Sequence, residues 1–299
     1  MTVYNYVEQF RTELQQKYAR ELTSHDLFLS NQQVTFMNAQ TIKLPNITVS
    51  GYKDHSRATT GYNSGNLSNE WEPKKLEHDR DIEFAIDPMD VDETNLILSM
   101  ANIQNTLETE QGIPEKDSYV YSKLYQEAMT YAANGATIAN DALTAENILT
   151  LFDDAMEKMD EASVPAEGRV LYVTPAVNKL FKQAKDLQRV LGVTGGNGSV
   201  SRSIYDIDDV TIKVVPSARM KTKYNYTDGC VPASDAKQMN FILIHPSCVI
   251  AREKYSYIKV FTPGHDSRTA DNYLLQSRFY MDAFLIKNKA TGIYINAVV

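Results

Sequence analysis

Leu76-Glu77-His78-Asp79-Arg80-Asp81-Ile82-Glu83-Phe84-Ala85-Ile86-Asp87 reads as the returning limb of a long β-hairpin. Side chains on a strand alternate between its two faces. One face therefore carries Leu76, His78, Arg80, Ile82, Phe84 and Ile86. The other carries Glu77, Asp79, Asp81, Glu83 and Asp87, an acidic stripe broken only by Ala85. The outgoing limb, Lys43 to Tyr52, has Ile47 and Val49 on one face, and the polar stretch from Ser56 to Asn66 forms the tip. An isolated two-stranded hairpin is marginal in water. A hairpin over residues 41–90 needs a surface to lie on, either its own domain or another molecule. The plainer alternative is a half-buried strand with a solvated acidic face.

A chain of 299 residues, 43% hydrophobic and 23% charged, has the composition of an ordinary globular protein with room for a substantial core. The net charge of -8 argues against a dedicated nucleic-acid binder, which needs a basic patch to displace counterions. It is compatible with enclosing nucleic acid without gripping it. Cys230 and Cys248 match no zinc or redox spacing and read as reduced thiols of a cytosolic protein. No run approaches the roughly 20 apolar residues that span a bilayer, and no membrane partner is expected.

Ahead of the hairpin, residues 4–22 have helical periodicity, with Val7, Phe10, Leu14, Tyr18 and Leu22 on one stripe. After it, Asp87-Pro88-Met89-Asp90 reads as a breaker, and Asp92 or Thr94 caps a helix running to about Gln111. A second helix follows from Glu115 or Asp117, with a kink expected at Gly112-Ile113-Pro114. Residues 134–141 read as a linker. Thr144 then caps a helix with Phe152 and Met156 inward, followed by a buried strand at 169–173 and a helix opened by Thr174-Pro175 that carries Leu180 and Phe181. Phe152, Met156, Val173, Leu180 and Phe181 are the expected core of this α/β unit. Gly195-Gly196-Asn197-Gly198-Ser199 lacks the Lys-Ser/Thr of a phosphate loop and reads as an exposed turn. Further strands are expected at 204–207, 210–215, 240–245, 247–252 and 255–261, and the 273–286 strand should return through the 287–292 turn as a C-terminal hairpin.

Chemistry-bearing patterns are sparse. His25, His55, His78, His245 and His265 make no metal or catalytic spacing. The carboxylate pairs Asp153-Asp154, Asp160-Glu161 and Asp208-Asp209 have no converging partner in the sequence. No catalytic residue, cofactor or metal is assigned.

The order of elements is α+β: an arm, a long hairpin, a long helix, a compact α/β region and a final β segment. This resembles the major capsid proteins of tailed phages, the Hong Kong 97 fold, and in particular those of siphophages of Gram-positive bacteria. Three segments carry the likeness: Thr109 to Tyr119, Val210 to Met220 with its Val215-Pro216 pair, and Asp271 to Tyr294. The resemblance implies an N-arm at 1–40, an extended hairpin (E-loop) at 41–90, a peripheral (P) domain with a spine helix at 91–143 completed by 265–299, and an axial (A) domain at 144–264. It implies pentamers and hexamers of the chain closing an icosahedral shell around double-stranded DNA, without sequence-specific binding. It also implies a portal partner, assembly in the bacterial host cytoplasm and a final place in the virion. Members with a cleaved leader carry their scaffold in it; here the arm begins at once, so a separate scaffolding protein is expected. Expected inter-subunit contacts are Glu77, Asp79, Asp81, Glu83, Arg57, Lys74, Lys75, Phe10 and Leu14, and Gly195, Gly196, Asn197 and Gly198 would line an axis or subunit edge. Lys53, Lys74 and Lys75 lie where some members form a cross-link, but no acceptor or catalytic acid is evident and none is expected. The alternatives are an encapsulin, a bacterial compartment shell of the same fold, and a cytosolic α/β enzyme with a lid hairpin.

Overall fold

The computed structural model describes residues 21–30, 41–55, 62–93, 100–184, 204–264 and 271–298. Phe10, Leu14, Arg57 and Gly195 to Gly198 lie outside them, as do His265 and residues 94–99 of the expected spine helix. Two compact units are present, one made of residues 33–78 and the other of the rest of the described chain.

In the smaller unit, β1 (Thr41–Val49) runs antiparallel to β2 (Leu67–Lys75), with Thr41 opposite Lys75 and Val49 opposite Leu67. This corrects the expected hairpin. The returning limb is 67–75, not 76–87. The acidic strand, β3 (His78–Ile86), instead lies in a three-stranded sheet with two long C-terminal strands. There its carboxylates find partners: Asp79 receives a bidentate pair from Arg278, and Glu83 a hydrogen bond from Gln276.

The expected breaker at 87–90 starts a helix. Asp87 Oδ1 accepts from Met89 N at 2.8 Å, and Pro88 takes the first position of α2 (Pro88–Glu93), where its missing N–H costs nothing. Next come α3 (Met100–Leu107), a π-helical turn at Glu108–Gly112 and α4 (Ile113–Thr130). The helix does not stop at Gly112-Ile113-Pro114, as expected. The wide turn bonds Ile113 N–H to Glu108 O, and Pro114 falls in the first turn of α4, where no donor is required.

The supposed linker holds β4 (Thr137–Ala139). Gly135 before it has φ +99°, and a Cβ there would lie 2.5 Å from Thr291 Cγ2, so glycine is needed on both counts. Then follow α5 (Ile148–Glu161), β5 (Val170–Val173), α6 (Pro175–Gln183), β6 (Asp206–Ile207), β7 (Val210–Val214), β8 (Tyr224–Asn225), β9 (Val231–Pro232), β10 (Met239–Ile244), β11 (Val249–Phe261), β12 (Tyr273–Leu285) and β13 (Ile293–Ala297). β11 fuses the two strands expected at 247–252 and 255–261 through an irregularity at Glu253/Tyr255.

β4, β13, β10, β5, β7 and β6 form one sheet in that order. The expected C-terminal hairpin is therefore absent: the 287–292 turn carries the chain from β12, in the three-stranded sheet, to β13, beside β10 in the other. Period-two alternation divides the six-stranded sheet between two cores. Val170, Tyr172, Ile242, Ile244, Ile293 and Ile295 join Val120, Tyr121 and Leu124 of α4. Leu171, Val173, Phe241, Leu243 and Tyr294 join Ile148, Phe152 and Met159 of α5 and Val177 and Phe181 of α6. Of the expected α/β core, Phe152, Val173 and Phe181 are buried, while Met156 and Leu180 pack partly buried at its margin.

Candidate functional site

On the β1–β2 hairpin, cross-strand register puts Ile47, Val49, Leu67 and Trp71 on one face. They are 65%, 69%, 73% and 55% exposed. The opposite face carries the buried Ile42 and half-buried Leu44 toward its base and Thr48, Ser68, Glu70, Glu72 and Lys74 besides, with Lys74 pairing with Glu72 at 3.4 Å. Beyond the ladder the limbs stay joined: Ser50 N donates to Asn66 O, Lys53 Nζ to Ser64 O and Asn63 Nδ2 to Asp54 O. The result is an ordered ribbon with an apolar face open to water. Such surfaces mark association sites. Sequence inspection finds Ile47 and Val49 but misses Leu67 and Trp71, because the partner strand was misassigned.

The acidic stripe lies elsewhere. Glu77, Asp79, Asp81 and Glu83 are all exposed. Asp79 and Glu83 are held by β12 of their own chain, and the Asp79 hydrogen bonds push the Arg278 guanidinium further above its ordinary range. Tyr255 lies beneath Arg278, 5.8 Å from ring centre to guanidinium. Lys74 is half-buried and Lys75 exposed, at the base of the hairpin.

A second group of functional side chains was not read from the sequence. The helix α4 carries acidic residues on its packed faces. Glu115 accepts from Arg80 Nε at 2.7 Å, and Arg80 Nη1 donates to Tyr226 O, so β3 is held to α4 and to the β8–β9 loop. Asp117 is fully buried among donors from Thr23, Ser24 and Arg219. Tyr119 Oη donates to the buried Asp282 of β12 at 2.9 Å. Glu127 Oε2 accepts from Leu285 N at 3.4 Å. The available signal was a run of carboxylates interleaved with tyrosines inside an apolar helix.

Neither cysteine is activated. Burial pushes the Cys230 thiol up to about 11 and the Cys248 thiol up to about 12. His245 is held below its usual value by burial, and bonds Ser247 Oγ and Glu167 O. The carboxylate pairs do not converge on a cation: among the described residues no group of three ligand-type side chains is placed to hold one. Asp160 is engaged by the buried Arg169 at 2.6 Å. Among the described residues no helix is long and apolar enough to cross a membrane.

No protein-family model matches the chain, and no curated protein matches its sequence. Solved structures do match. The capsid of the cyanophage P-SCSP1u aligns over 97% of this chain and 92% of its own, with a TM-score of 0.69 and 13% identity. The mature capsid of bacteriophage PhiM1 aligns over 98% and 91%, with a TM-score of 0.68 and 11% identity. A structure from Mycobacterium phage Che8 aligns over 99% and 98%, with a TM-score of 0.62 and 12% identity. At such identities the likeness is one of fold. The chain has the mixed helix-and-sheet fold of phage capsid structures over nearly its whole length.

Proposed function

We propose that this chain is a major capsid protein of the Hong Kong 97 type, a coat subunit that forms pentamers and hexamers and closes an icosahedral shell around phage double-stranded DNA. The carrying observation is the exposed apolar face of the hairpin, in a fold matched end to end by phage capsids. Four large apolar side chains on an ordered ribbon would gain burial from another molecule. A second copy is the partner that a shell supplies, through heterologous contacts that close by symmetry. The reaching element is 41–75, while β3 stays in its own sheet. Residues 91–143 and 265–299 would form the peripheral part, 144–264 the axial part and 1–40 the arm. Glu77 and Asp81 would sit at the rim of a neighbour's contact, where charges steer encounter more than they add affinity. The net charge of -8 suits a wall that surrounds DNA without binding its sequence. A portal and a scaffold are the further partners, the virion the final location, and no catalysis is assigned.

Trp71 is the single tryptophan of the chain, so its emission reports on the hairpin alone. Purified subunit brought to assembly conditions should form shells in negative-stain images, with a blue shift of Trp71 emission as the indole leaves water. Compact monomer at every salt and protein concentration would overturn the proposal. Shells isolated from the producing cell that hold protein cargo and no DNA would replace it with the encapsulin alternative.

A further inference from the structure

We infer that Asp117 is a shared tether that seats the base of the N-terminal arm and the turn after β7 as one cooperative unit. Its carboxylate is 0% exposed. Oδ1 accepts from Ser24 N at 3.0 Å and Ser24 Oγ at 2.7 Å. Oδ2 accepts from Thr23 N at 3.1 Å, Thr23 Oγ1 at 2.7 Å and Arg219 Nη1 at 2.9 Å. A carboxylate offers about four lone-pair sites, so these five donors saturate it. Two further contacts close the node: Thr23 Oγ1 lies 2.9 Å from Tyr121 Oη, and Arg219 Nη1 reaches Glu21 O at 3.4 Å.

Three separate pieces of chain meet here: residues 21–24, α4, and the Ser217–Arg219 turn between β7 and β8. The short helix α1 (His25–Leu29) starts at the node. Ser24 occupies its N-cap position, yet the side chain makes no cap bond, because hydroxyl and N–H both turn to Asp117. α1 is also held by the buried Leu27, by Phe28 packed on the same core, by the Lys213–Asp26 pair at 2.6 Å and, at its end, by Ser30 Oγ donating to Val249 O at 3.0 Å.

The coupling follows from burial. With the arm base gone, Asp117 would keep Arg219 but lose most of its donors, and a desolvated carboxylate short of donors is costly. Water must then enter or the turn must shift. With Arg219 gone, the carboxylate loses its counter-charge and the arm base faces an uncompensated anion. Coupling between two contacts on one group is reciprocal. Asp117 is thus a positioning residue: it sets the point from which the chain ahead of residue 21 departs. That the departure point matters to neighbours rests on the coat-subunit proposal; the tether itself does not.

The test is amide hydrogen exchange on the unassembled full chain. Asp117→Asn risks misfolding, so the primary variant is Thr23→Val with Ser24→Ala, which removes both hydroxyls and leaves the carboxylate and Arg219 in place. Exchange over 21–30 should rise about ten- to a hundredfold, as expected for lost hydrogen bonds to a charged group. Exchange over 217–222 should rise about tenfold with it, while β5 and α5 stay unchanged. Arg219→Gln should loosen 21–30 in turn. Thr23→Ser with Ser24→Thr, which restores both hydroxyls, should return native exchange at both places. Loosening of 21–30 alone would show two independent contacts and overturn the tether, as would no change at either place. Because the readout precedes assembly, coupled exchange in a chain that never forms shells would keep the tether and reject the coat proposal.

Discussion

Replacing Val49 and Leu67 together with threonine tests the hairpin face at its most exposed pair. The two residues lie opposite each other in the β1–β2 ladder and are 69% and 73% exposed. Fully burying such a side chain is worth about 1.5–3 kcal/mol, and roughly two-thirds of each surface is still open in the free subunit. Docking can therefore gain about 1–2 kcal/mol from each. Threonine keeps the β-branched shape that strands favour but forfeits about half of the gain. The loss over the two positions is about 1.5 kcal/mol per contact, or about tenfold in its dissociation constant. Ordering costs at the interface affect both proteins alike, so the difference is firmer than either total. The free subunit should hardly notice, since exposed substitutions usually fall within about 0.5 kcal/mol, which is roughly 2 °C in Tm or less. Light scattering against protein concentration gives the critical concentration for assembly, which should rise at least about tenfold. A thermal melt of the free subunit is the control. Assembly at the native critical concentration would refute docking through this face. A fall in Tm of more than about 5 °C would show that the face already packs within the subunit.

Phe152 is 1% exposed and meets Phe181 edge-on at 6.2 Å, so Phe152→Ala should cost about 3–5 kcal/mol, seen as a fall of roughly 10 °C in subunit Tm. An unchanged melt would show that α5 does not pack as described. The cysteines give a pH prediction. Their folded values, pushed up to about 11 for Cys230 and about 12 for Cys248, lie above the free thiol's roughly 8.5, so the unfolded chain releases those protons first. Their contribution is whole below about pH 8.5 and declines as pH climbs toward the folded values. Urea midpoints between about pH 8 and 10 should fall more steeply for the native chain than for the Cys230→Ala, Cys248→Ala variant, and parallel profiles would refute the assignment.

Legibility followed burial periodicity. The α5–β5–α6 unit was readable because Phe152, Val173 and Phe181 sit at helical or strand spacing against one core. The wide turn before Pro114 was not, because Gly112-Ile113-Pro114 reads as a helix breaker, while a π turn that bonds Ile113 N–H to Glu108 O places Pro114 where no donor is needed and the helix runs on. Strand pairing was the main loss. Limb 67–75, Leu-Ser-Asn-Glu-Trp-Glu-Pro-Lys-Lys, shows neither β-branched enrichment nor a clean alternation, so the better-patterned 76–87 reads as the returning limb instead. The same bias produced the false C-terminal hairpin, since β12 and β13 are consecutive good strands joined by a short turn yet lie in different sheets. The Asp117 node was invisible for a different reason: its donors come from positions 23, 24 and 219, and no local pattern joins them.

What the strand errors share is informative about function. Local pattern identifies strands that bury a face at home, and β10, β12 and β13 do so, while β3 buries its two ends at His78 and Ile86. The limb it missed, β2, has no such face: Trp71 and Leu67 look outward, and the residues between them are polar. A strand that fails the alternation test yet pairs along its whole length with β1 is shaped by something other than its own core. A ribbon built only to be a loop has no need of tryptophan, leucine, valine and isoleucine in register on one side, and in water that side is a liability for aggregation. Keeping it is reasonable if the face is covered in the working state. The weak strand signal at 67–75 and the open apolar face are both what the proposed coat role asks of this ribbon, a strand whose second surface would be covered by another molecule.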